Sequence, residues 1–132
     1  MYRLGVSDYV MIAHSLSDVF FGPAQRLHGA TYSVELEITT PKLGPHEVVM
    51  DIGALRDILR RVLAELDYRN LDEHPAFANR LSTTERVAEH VANRVAAELV
   101  DLPADAAPAA GGRLRALIRE SVVAYAAFER TI

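Results

Sequence analysis

The stretch that most constrains the fold is residues 32–39. There Tyr32, Val34, Leu36 and Ile38 alternate without a break with Ser33, Glu35, Glu37 and Thr39, and Pro41 closes the run. Period two puts the four apolar side chains on one face of a strand and the polar ones on the other. A strand with one apolar face needs a second layer to cover it. The pattern recurs upstream, where Leu4, Val6, Val10 and Ile12 share a parity with His14, so residues 2–14 are predicted to form another strand. Two such strands joined by a loop predict an antiparallel pair. Carried backwards, the parity of residues 32–39 puts His28 and Ala30 on the apolar side with Tyr32. Residues 15–26, with Asp18, Phe20, Phe21, Gly22 and Pro23, are expected to form a loop closing over something apolar.

The covering layer is legible further on. After Asp51, the residues Ile52, Leu55, Ile58, Leu59, Val62, Leu63 and Leu66 recur at three- and four-residue spacing, which predicts an amphipathic helix ending near residues 67–70. Ser82-Thr83-Thr84-Glu85 has the spacing of a capping box, with Ser82 as the cap. It opens a second helix striped by Val87, Val91, Val95 and Leu99, whose small face (Ala88, Ala92, Ala96) suits close packing. A loop rich in Ala, Pro, Gly and Asp over residues 101–112 precedes two more strands. Leu114, Ala116, Ile118 and Glu120 share a parity in the first, and residues 122–129 form the second. The order ββααββ predicts an α+β fold: a single domain over residues 1–132, with two helices on one face of a four-stranded antiparallel sheet. Such a sheet has open edges, which oligomerisation into a closed barrel would remove.

Composition narrows the chemistry. A net charge of −4 with no basic stripe argues against a nucleic-acid or anionic-membrane surface. The absence of cysteine removes disulfides, thiolate nucleophiles and sulfur-ligated metal. No charged-then-apolar leader and no apolar run of about 20 residues occurs, so a cytoplasmic location is expected. Lys42 is the only lysine among 14 Lys and Arg residues, a bias expected of a GC-rich bacterial genome.

Two features carry candidate chemistry. His28-Gly29 at the mouth of the clearest strand, with His14 on the preceding strand, has the look of half a metal site, but the next position on that face is Ala30. A strand-end histidine bonded to backbone is the plainer reading of His14 alone. Glu120 interrupts an otherwise apolar parity. Its plain reading is a strand-end residue paired with Arg115 or Arg119. His74 and His90 read as surface residues.

The ordered series His14, Leu27-His28-Gly29, Val48-Val49-Met50-Asp51, Leu66-Asp67, Thr83 with Glu85, and Glu120 resembles the 6-pyruvoyltetrahydropterin synthase and 6-carboxytetrahydropterin synthase family over nearly the whole chain. The resemblance implies the tunnelling fold, trimers or hexamers closing a barrel, and ligand sites between subunits. It also implies a zinc ion held by three histidines. His14 and His28 match two of these, and Ala30 stands at the third, for which His46 or Asp18 would have to substitute. The family's cysteine position is Ala24, and its Asp-His pair corresponds to Asp67-Tyr68. A phenol holds its proton at neutral pH, so Tyr68 can donate or orient but is a poor base. Glu120 matches the carboxylate that grips the pterin's guanidine-like edge and Thr83 a residue near the ligand; the sequence leaves open whether Phe20 and Phe21 seal the pocket.

Three functions are therefore expected to compete. The first is an altered, metal-free lyase, aldolase or cyclase acting on a pterin or other small planar or carbonyl substrate. It would use Asp67, Tyr68 and His28 for proton transfer, with Glu120, Thr83 and Phe21 on the ligand, as the related dihydroneopterin aldolases manage without metal. The second is a zinc-dependent synthase with a relocated third ligand. The third is a non-catalytic member that binds a small molecule or a partner protein.

Overall fold

A computed structural model describes residues 1–132. Tyr2–His14 (β1) and His28–Thr40 (β2) form an antiparallel ladder from Tyr2 opposite Thr40 to His14 opposite His28. The even parity faces inward as the alternation requires: Val10, Ile12, Tyr32, Val34, Leu36 and Ile38 are all buried. A one-residue slip would turn that whole set to the other face, so burial fixes the register.

Ile52–Ala64 (α1) starts where expected, with the Asp51 carboxylate accepting from the Ala54 N–H at 3.0 Å. Thr84–Leu99 (α2) buries Val87, Ala88, Val91, Ala92, Val95, Ala96 and Leu99. Arg113–Arg119 (β4) pairs with β2, and Tyr125–Thr131 (β5) pairs with β4, both antiparallel. Helix α1 lies over β1, and α2 over β4 and β5. The two layers enclose one core of 26 buried residues.

Beyond the four long antiparallel strands there is a fifth. Arg69–Asn70 (β3) runs parallel to β1 opposite Ile12 and Ala13, giving the order β3-β1-β2-β4-β5. Two residues are too short for a periodicity to announce. Because β3 covers only the end of β1, residues 2–10 keep one side unpaired. Met11 turns both its N–H and its C=O to that outer side, where Asp67 Oδ1 and the Tyr68 N–H meet them at 2.9 and 2.7 Å. By antiparallel alternation Arg3, Gly5, Ser7 and Tyr9 point their backbone groups the same way. Strand β5 is the other free edge.

Two expectations are corrected. The cap of α2 is Thr83, whose Oγ1 accepts from the Arg86 N–H at 3.3 Å, and Ser82 is free for another task. The loop after β1 forms 3-10 turns over Val19–Gln25 that bury no residue of their own; Phe20 packs edge-on against Phe21 and is 85% exposed. Within one chain these aromatic rings seal nothing.

Candidate functional site

His14, His28 and Glu120 come to one end of the sheet, on the helix-facing side. His14 ends β1 and His28 begins β2, so the ladder sets their rings edge to face with centroids 4.6 Å apart. His14 is buried, and its Nδ1 lies 3.0 Å from both the carbonyl and the hydroxyl of Ser82. A carbonyl only accepts, so Nδ1 carries the proton and Nε2 keeps its lone pair. His28 repeats this, its Nδ1 donating to the Arg26 carbonyl at 2.8 Å. Imidazoles backed in this way, with one tautomer held and Nε2 free, are arranged as metal-holding histidines are.

Burial, and then the neighbouring His28, hold the His14 imidazole below its ordinary pKa, against the pull of Ser82, Asp72 and Glu120. Asp72 accepts from both the N–H and the hydroxyl of Ser15, clamping the residue after His14. A cleft of about 380 Å³ opens beside this clamp, lined by Ser15, Ser17, Asp72, Asn79 and Arg80 among others.

A third metal donor is missing. Ala30 sits opposite Ile12 on the same face, and nowhere in the chain do three His, Cys, Asp or Glu side chains converge for an ion. Neither proposed substitute reaches the pair. Asp18 is spent on the Phe20 N–H at 2.9 Å. His46 lines a groove with Leu4, ten residues of strand from His14, or roughly 33 Å at ~3.3 Å per residue. The residues present do not fit a three-ligand zinc centre built from one chain.

Glu120 follows β4 directly, and the register of β2 with β4 sets it opposite Tyr32. Its Oε2 accepts from the Thr84 hydroxyl at 3.0 Å. Arg119 and Arg115, the alternative partners, face the other side of the sheet and pair with Glu35 and Glu37 at 3.3 and 3.4 Å. Glu120 therefore has no cation on it and stays exposed. Behind it Tyr32 is 1% exposed, and burial pushes its phenol above the ordinary range, with the Thr84 hydroxyl opposing and the Glu120 and Glu85 carboxylates adding to the rise.

Other expected site residues are placed differently. Asp67 gives its carboxylate to the Met11 N–H, and Tyr68, in a left-handed backbone conformation at φ 57°, extends into solvent 80% exposed. No hydrogen bond joins either side chain to His14 or His28. Thr83 is occupied as a helix cap. Phe21 is half-buried against Phe20 rather than against the histidines.

His74 and His90 are not simple surface residues. Both are half-buried, with rings 5.9 Å apart around Phe77, and His90 Nε2 is buried without a partner. Sequence reasoning passed over Ser82, Tyr32 and Thr84 as site residues. The available signal was that Ser82-Thr83-Thr84 offers two hydroxyls more than a capping box uses.

The family model for 6-pyruvoyl tetrahydropterin synthase matches residues 3–130, and the chain belongs to that family. Solved structures agree on the fold. The 6-pyruvoyl tetrahydropterin synthase of Caenorhabditis elegans superposes with a TM-score of 0.78 at 22% identity, over 98% of this chain and 95% of that one. The Plasmodium vivax synthase gives 0.78 at 19% identity, over 99% and 98%. An uncharacterised protein of Wolinella succinogenes gives 0.67 at 14%, over 96% and 97%. Comparison with curated protein sequences gives no match.

Proposed function

We propose that this chain is a lyase-type enzyme of the pterin synthase family. It binds a pterin or similar planar ring through Glu120 and moves protons with imidazole in place of the family's zinc and cysteine. The observation that carries the reading is the juxtaposition at one sheet end of a carboxylate with no cation on it and two imidazoles with free Nε2 atoms. A carboxylate with an open site on each oxygen accepts two parallel N–H groups from a 2-amino-4-oxo ring edge.

Each imidazole holds its Nδ1 proton on a carbonyl oxygen, which leaves Nε2 as the atom that can take a proton. His28, the more accessible of the two, takes a proton from the ring's carbon side chain at Nε2 and returns it to the adjacent atom, as base and then acid. Burial keeps His14 neutral beside it. Asp67 and Tyr68 enter this scheme only across a subunit boundary. Tyr68 stands exposed at the outer side of β1, where a second copy adding a strand to residues 2–10 would meet it. The free edges of β1 and β5 support a ring of copies, a homo-oligomer, as the assembly.

The test is a pterin fluorescence titration with elemental analysis of the same purified sample. Binding without stoichiometric metal, lost in Glu120→Ala while the fold persists, is the expected result. An unchanged Kd in Glu120→Ala removes Glu120 from the site.

A second reading, zinc held by His14, His28 and a donor from outside the chain, is favoured by one observation: the backing of both Nδ1 atoms. About one zinc per chain in the purified protein would bring it forward. Ala30→His should then raise zinc affinity, because residue 30 shares the face and neighbours the pair; no change would separate the histidines from metal binding.

A further inference from the structure

We infer that Thr84 is a positioning residue, which holds the Glu120 carboxylate in the orientation that grips a ring edge. The inference rests on the reading that Glu120 is the ligand carboxylate, and it adds what sets that group's geometry. Glu120 lies beyond the last residue of β4, exposed and with no cation to hold it. A glutamate in that situation samples several rotamers, and ordering it on binding costs affinity.

Thr84 opposes that loss. It is the first residue of α2, 8% exposed, and the Thr83 cap and the Ser82 bonds to His14 fix the turn before it. A hydroxyl has one proton, and Thr84 places it on Glu120 Oε2 at 3.0 Å. The carboxylate has about four lone-pair directions, and Thr84 uses one, leaving one on each oxygen for a pair of parallel N–H groups. A β-branched residue suits the task, since Thr has few χ1 choices at a helix start.

The experiment compares two probes on the intact protein: pterin, which presents the 2-amino and N3 hydrogens, and lumazine, which has an oxygen in place of the amino group. Wild type should prefer pterin. Thr84→Val, of the same shape without the hydroxyl, should lower pterin affinity roughly tenfold, the scale of one hydrogen bond to a charged group, and leave lumazine affinity unchanged. Thr84→Ser should restore the preference. A general loosening of α2 would weaken both probes alike and would not be rescued by serine; that result, or an unchanged preference in Thr84→Val while Glu120→Ala abolishes it, overturns the inference. If Glu120→Ala keeps the wild-type preference, the underlying reading fails instead. The bond is then read without any probe by a double-mutant cycle of Thr84→Val with Glu120→Ala on unfolding. A non-zero coupling supports the positioning contact, and additivity overturns it.

Discussion

At the scale of single residues, the four positions 82–85 divide their labour in a way that spacing alone did not show. Ser82 turns inward to His14, Thr83 caps the helix, Thr84 reaches Glu120, and Glu85 stays in solvent near the helix N-terminus. The capping-box pattern correctly marked a helix start but chose Ser82, because a pattern of residue types does not say which hydroxyl faces the first turn. Thr83→Ala should cost about 1 kcal/mol of stability, as loss of a cap does, and leave ligand affinity within about twofold, since its hydroxyl is spent on Arg86. Chemical denaturation together with a binding titration measures both. A large loss of affinity at unchanged stability would return Thr83 to the ligand. His14, His28 and Glu120 were legible because each sat on an apolar parity where a polar group has to be explained. Asp67 and Tyr68 were assigned by motif, and their surroundings depend on a two-residue parallel strand that no periodicity encodes.

Among the elements, the segment between β3 and α2 carries a pH dependence. His74 caps the turn at Pro75–Phe77 by accepting from the Ala76 N–H at its Nδ1, which requires that nitrogen to be unprotonated. Across from it, burial lowers the pKa of His90, and then electrostatic repulsion by the neighbouring His74 lowers it further; Glu65 opposes this and nearby Arg94 adds to it. A histidine whose folded pKa lies below the unfolded value of 6.5 binds fewer protons in the native state. Stability is therefore full above that value and is lost as the pH falls from it towards the folded pKa. His14 contributes with the same sign. Replacing the buried imidazole by an apolar ring, His90→Phe, should flatten the fall in Tm between about pH 7 and 5 without abolishing it, because His14 remains. Thermal melts across that range decide the point: an unaltered slope would mean His90 takes no part. The strands and helices themselves were readable, because long one-faced periodicities leave few alternatives. The 3-10 turns of this segment have no comparable period.

For the whole molecule, the unpaired outer side of β1 is the feature that bears most on assembly. The residues whose backbone groups face outward alternate with those that bond β2, so the two roles can be separated by substitution. Ser7→Pro removes an outward N–H and none from the β1–β2 ladder. It should lower the mass in solution, by light scattering, while circular dichroism stays native. An unchanged mass would place the subunit contact elsewhere. That the sheet has edges to cover was legible from the strand count, whereas which copy meets which edge lies outside anything a single chain's pattern encodes.

The pairing of His14 with His28 has a consequence for engineering. The 13 residues between them bridge two positions that the ladder already holds side by side. The middle of the intervening segment does not set the spacing of the imidazoles, so residues 17–25 can be shortened, lengthened or exchanged while Ser15, clamped by Asp72, and Arg26, whose carbonyl holds His28, stay in place. The chain thus offers a graft point directly above a preformed two-histidine anchor, where new side chains can be brought close to the imidazoles without rebuilding the scaffold beneath.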